Sequence, residues 1–194
     1  MASQIVKRAD AARNIERIVE TAVCVFGADP AAGMSDVAEQ AGVGRATLYR
    51  HFPGRDELVV AIRAQARREA VAAVESCALD EASSVDGIER IVSALLELGE
   101  RYRFISGWRA DAEQDPEAGE RISAALQATV ERGQRRGELT RAVPADWAVT
   151  SIRSLILAAI DELAAGRISE GEAAHMVTRV ALQGLGPIRR ETRG

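Results

Sequence analysis

Apolar residues recur along this chain at intervals of three and four, the spacing that lines one face of an α-helix. Ile15, Ile18, Val19, Ala22, Val23 and Phe26 form the first such stripe, and Gly27 to Gly33, with Pro30, ends it. Two short helices are predicted next, Ser35–Ala41 and Arg45–Phe52, separated by Gly42-Val43-Gly44. Pro53-Gly54 breaks the chain before a long helix carrying Leu58, Val59, Ile62, Ala66, Ala70 and Val74. A loop is expected over Leu79–Val85, and Ile88, Ile91, Val92, Leu95 and Leu98 then restart the pattern. After Pro116 comes a helix with Ile122, Ala125, Leu126, Thr129 and Val130, ending at Gly133 or Gly137. Pro144 opens the next, which holds Trp147, Ser151, Ile152, Leu155, Ile156, Ala159, Ile160 and Leu163. Ser169 caps a last helix with Ala173, Met176, Val177 and Val180, closed by Gly184–Pro187. No segment alternates like a strand, so the expected fold is all-α with about nine helices.

Composition supports closely packed helices. Of the 194 residues, 47% are hydrophobic and only 4% aromatic, while alanine occurs 36 times. That excludes a disordered chain and leaves a core of small and aliphatic side chains. Cys24 and Cys77 are far apart, with no metal-ligand spacing around them, so neither a disulfide framework nor a metal site is expected. Cys24, among Ala22, Val23, Val25 and Phe26, reads as a small core residue. His175 has no ligand-forming neighbours. The most apolar run, Ser154–Ile160, is bounded by Arg153 and Asp161 and is too short to cross a bilayer. No secretory signal is visible, and a cytoplasmic location with no membrane partner is expected.

A net charge of −4 argues at first against a polyanionic partner. The distribution reverses that argument. Residues 1–56 carry seven basic and seven acidic groups, whereas the remainder carries 18 basic against 22 acidic. Between Arg45 and Arg55 lie three arginines, one histidine and no acid. The acidity therefore belongs to the C-terminal part, and a local positive face is enough to meet phosphates.

That basic stretch has the physics of a helix-turn-helix. Val37, Ala38 and Ala41 face inward from the first short helix, and Ala38 is small enough for a close crossing. Gly42 permits the tight turn and Val43 fills the space beneath it. Leu48 and Phe52 anchor the second helix, which leaves Arg45, Ala46, Thr47, Tyr49, Arg50 and His51 to project outward. Phe26, Val37-Ala38, Ala41-Gly42-Val43, Thr47-Leu48-Tyr49, His51-Phe52 and Arg55–Leu58 closely resemble the DNA-binding domain of the TetR family of transcriptional regulators. The strong resemblance covers roughly residues 8–62; beyond it only the helix pattern is similar.

The resemblance implies a double-stranded DNA partner with a palindromic operator, and a division into a DNA-binding domain over 1–56 and a sensing and dimerising domain over 57–194. Arg45 and Ala46 would approach base edges, while Thr47, Tyr49, His51 and Arg55 would mainly hold phosphates. Arg50 would do either, arginine being the usual reader of guanine. Lys7, the chain's one lysine, and Arg8 would form an N-terminal basic arm. Gly44 stands where a serine cap is frequent, and Ala32-Gly33 replaces a hydroxyl pair, leaving Ser35 as the phosphate contact there.

The family's sensors bind small molecules among the middle helices. Tyr102, Phe104 and Trp108 hold three of the seven aromatics. They read equally as plain core or as the wall of an apolar ligand site, with Leu95, Leu98, Ile105 and Trp147 as further wall candidates. The last two helices are apolar over broad faces, which predicts a homodimer through them. Two other classes compete with a ligand-released repressor. An enzyme is disfavoured by the absence of a nucleophile elbow, P-loop, H-E-x-x-H or dinucleotide fingerprint, and no cofactor is expected. A helical scaffold that keeps the three-helix head without reading DNA would bury Tyr49 and His51.

Overall fold

A computed structural model describes residues 2–77, 83–105 and 116–186, with side chains from residue 12 onward. All regular structure among them is helical, in eight α-helices: α1 Ala2–Ala28, α2 Met34–Gln40, α3 Arg45–His51, α4 Arg55–Ser76, α5 Ser84–Arg101, α6 Pro116–Arg136, α7 Ala145–Ala164 and α8 Glu170–Leu185. The count is one short of the nine expected. Trp108 falls outside the described residues. No described helix is long and apolar enough to cross a membrane.

The chain divides into two compact units, Met1–Ala66 and Arg67–Gly194. The border lies ten residues beyond the 56/57 division expected from the sequence. The reason is the stripe Leu58, Ile62 and Ala66, which is buried throughout the first part of α4. Those side chains close the first core together with Ile18, Ala22 and Phe26 of α1 and Val37 of α2, all fully buried. The helix itself runs without interruption from one unit into the next.

Cys24 departs from expectation: it is exposed. The helical period that buries Ala22, Val23 and Phe26 turns position 24 to the opposite face.

In the second unit α5 packs against α6, α7 and α8, and α7 packs against both α6 and α8. Ile88, Ile91 and Leu96 of α5, Leu126 and Val130 of α6, Ile152 and Ile156 of α7, and Val177 and Ala181 of α8 share one core with Val74. Two glycines set how closely these helices approach. A methyl group at Gly99 would lie 2.7 Å from Ile160 Cγ1 of α7. One at Gly133 would lie 2.8 Å from both Leu139 and the Cβ of Ser84.

The ends of α6 and α8 follow from local chemistry. Gly137, with φ +76°, occupies the left-handed conformation that stops α6 after Arg136, so Gly133 stays inside the helix. The amides of Glu138 and Leu139 donate back to the Gly133 carbonyl at 2.9 and 3.2 Å, folding Leu139 onto the core. At α8 the Ser169 hydroxyl accepts from the Glu172 amide, and the Glu172 carboxylate accepts from the Ser169 amide at 2.8 Å. The Ser169 amide, together with the Ser169 hydroxyl that donates to the same carboxylate at 2.7 Å, holds the Glu172 carboxyl below its ordinary pKa.

Gly99→Ala is expected to lower stability by about 1–3 kcal/mol, because the β-branched Ile160 has little freedom to retreat. Urea unfolding followed by circular dichroism measures it; an unchanged midpoint would show that α5 and α7 separate without cost.

Candidate nucleic-acid interface

The interface is built on two helices of seven residues, each too short to persist alone in water. Both start at a glycine N-cap, Gly33 and Gly44, with no side-chain cap from those positions. At α2 the Asp36 carboxylate compensates by accepting from the Gly33 amide at 2.7 Å. The turn between the helices has Gly42 at φ +63°, left-handed as its sequence position predicts. The Val43 amide donates to Ala38 O at 3.0 Å, and the half-buried Val43 side chain sits under the turn.

Leu48 sets the rotation of α3. It is fully buried, and Phe52, one helical turn on, is buried as well. With that stripe turned inward, Arg45, Ala46, Tyr49 and Arg50 are left exposed. Tyr49 leaves 47% of its surface open to solvent, unusual for a large aromatic and the opposite of what a retained but idle scaffold head requires. Thr47 and His51 are half-buried, as is Ser35 on α2, and Gly44 is exposed. Arg45 and Arg50 form no ion pair with a carboxylate among the described residues.

One expected contact is placed differently and two lie outside view. Positions 7 and 8 lie within α1, and the side chains of Lys7 and Arg8 lie outside the described residues. Arg55 turns inward: its guanidinium stacks on the Phe26 ring at 4.0 Å and donates to the carbonyls of Ala32 and, at 2.8 Å, Pro30. The physical reason is the wide apolar ring of Phe26 beside two loop carbonyls, which suits a planar cation better than open water does.

The expected ligand-wall residues separate. Tyr102 and Ile105 are buried at the end of α5, Leu95 is buried, and Leu98 and Phe104 are half-buried. Trp147 does not join them. It is 65% exposed, because Ala148, Val149 and Ile152 take the inward face of α7. Sequence reasoning also missed a groove of about 370 Å³ along α4 and α6, where Arg67, Arg68, Glu75, Glu117 and Arg121 surround Val71, Ala72 and Ala118. Its one sequence signal is the Arg67-Arg68 doublet. No cluster of three metal-ligating side chains exists among the described residues.

A family model described as bacterial regulatory proteins, tetR family, matches residues 18–62, from α1 into α4. The transcriptional repressor LfrR of Mycolicibacterium smegmatis is 30% identical over 141 residues, which span 70% of this chain and 71% of LfrR. The chain belongs to the TetR family of bacterial regulatory proteins. It is a DNA-binding transcriptional regulator, and its head is the helix-turn-helix described above. The regulator NfxB of Pseudomonas aeruginosa is 27% identical over 177 residues, 87% of this chain and 92% of NfxB. The crystal structure of LfrR in complex with proflavine superimposes with a TM-score of 0.66 at 23% identity, covering 91% of this chain and 98% of that one.

Leu48→Ala is expected to destabilise the protein by about 2–5 kcal/mol, the range for a fully buried leucine. Thermal unfolding checks it. A loss below the cost of a surface substitution would mean that α3 is held by its flanking turns alone.

Proposed function

We propose that this regulator is a homodimeric repressor that grips a palindromic operator with two copies of α3 and releases it when a small, largely apolar ligand binds the second unit. The observation that carries the DNA half of this reading is the face of α3. Arg45, Tyr49 and Arg50 are exposed on a helix whose buried side is locked by Leu48. Arginine presents two parallel donors to guanine O6 and N7, and a tyrosine hydroxyl or the Thr47 and His51 side chains suit phosphate oxygens. Ser35 and Gly44 stand at the starts of α2 and α3, where the first amides of a helix have no partner within it.

Dimerisation is supported by apolar surface left open on the last two helices. Trp147 on α7 and Met176 and Val180 on α8 are 65%, 45% and 55% exposed. Isolated apolar side chains on a surface need no explanation, but three large ones on adjoining helices favour a two-fold helical interface. A dimer also answers the demand of a palindrome, whose half-sites repeat about one DNA turn apart.

The ligand half rests on the family and on the complex of its relative LfrR with proflavine. Here Tyr102 and Ile105 are fully packed, so a ligand reaching them must open the end of α5. A compound that prefers the opened form by a few kcal/mol shifts the population without any further device. Because α4 is one helix through both units, it is the element through which such a shift would reach the head.

Selection from random DNA at moderate salt is expected to return a palindrome, and recovery of unrelated sequences would end the reading. Arg50→Ala should cost about 1–3 kcal/mol and relax preference at one position per half-site; a uniform loss across all sequences would assign Arg50 to phosphate instead. Val180→Glu is expected to shift the protein from dimer to monomer in sedimentation velocity, since a charge would be forced into an apolar seam. A dimer that survives it would place the interface elsewhere.

A further inference from the structure

We infer that Arg55 is a positioning residue, which pins the loop before α2 to the start of α4 and so holds the helix-turn-helix in its DNA-reading geometry. The inference rests on the DNA-binding reading and assigns Arg55 a task other than meeting phosphate. Its side chain bridges three pieces of chain. The residue itself is the first of α4, the ring beneath it belongs to Phe26 near the end of α1, and its acceptors are the carbonyls of Pro30 and Ala32 in the connecting loop. Ala32 directly precedes Gly33, the N-cap of α2. Tying the Ala32 carbonyl therefore fixes where α2 begins, and α2 packs on α3.

The loop also has its own turn. The Ala31 amide donates to Asp29 Oδ1 at 2.8 Å and the Ala32 amide to Asp29 O at 3.0 Å. These bonds shape the loop locally; the guanidinium is what sets its distance from α4. Arginine suits this position for a geometric reason. A planar fork stacks on a ring while donating in its own plane to two separate carbonyls, and an ammonium does not combine the two.

The two roles for Arg55 predict opposite results. For a clamp, Arg55→Ala and Arg55→Lys both weaken binding to the selected palindrome by about ten-fold or more, corresponding to lost hydrogen bonds to a charged group. Neither variant changes the slope of log affinity against log salt concentration, because no counterion release is involved. For a phosphate contact, Arg55→Lys restores binding, and Arg55→Ala lowers the slope by about one unit.

Binding is measured where circular dichroism shows each variant fully folded. Amide hydrogen exchange on the DNA-free protein is the second readout. Faster exchange over residues 31–37 in both variants is the expected result. Rescue by lysine, or exchange there that matches wild type, would overturn the clamp. If wild-type protein itself selects no DNA sequence, the DNA reading falls, while hydrogen exchange still decides whether Arg55 holds the loop.

Discussion

The burial of Leu48 is the constraint on which the head of this protein depends. A seven-residue helix forms too few internal hydrogen bonds to offset the cost of its own nucleation, so α3 exists because its apolar stripe finds a core. That core comes from longer helices, with Phe26 from α1 and Leu58 and Ile62 from α4. Once Leu48 points inward, the helical period leaves no choice about which residues point out. The exposure of Arg45, Tyr49 and Arg50 is thus a consequence of the packing of the same helix through Leu48.

The second unit obeys a different limit, the thickness of a helix. Gly99 and Gly133 remove the side chains that would keep neighbours apart, and Ile160, Leu139 and Ser84 occupy the space. Close approach suits a chain rich in alanine and poor in aromatics. Trp147, Met176 and Val180 lie on the outside of the last two helices, where neighbouring positions take the inward faces.

Arginine does several jobs here, and its surroundings decide which. Arg101 with Glu69, Arg121 with Glu75 and Arg167 with Glu162 form ion pairs on the surface, where water and salt weaken the attraction. The Arg167 pairing keeps the Glu162 carboxyl below its ordinary pKa, yet water reaches both side chains. Arg45 and Arg50 have no such partner among the described residues and sit on a segment without acids, where a phosphate or a base edge would be the first strong acceptor they meet. Arg55 spends its donors on the loop.

Sequence alone determined most of the architecture. Stripe spacing places the described helices to within a few residues, apart from the start of α1, which lies at Ala2, thirteen positions before the first stripe residue; Gly42 marks the left-handed turn, and the absence of acids from Arg45 to Arg55 marks the segment proposed to face DNA. Those features are legible because each depends on neighbours close along the chain: helical period, turn chemistry and local charge. Tertiary structure decided what depends on distant partners. Arg55 meets Pro30 and Ala32 more than twenty positions away, and no local pattern distinguishes it from a phosphate-binding arginine. Cys24 and Trp147, each set in an apolar run, face solvent because neighbouring positions win the inward face. The first core likewise extends twelve residues into α4, because the burial of Leu58, Ile62 and Ala66, not the break at Pro53-Gly54, decides where one unit ends.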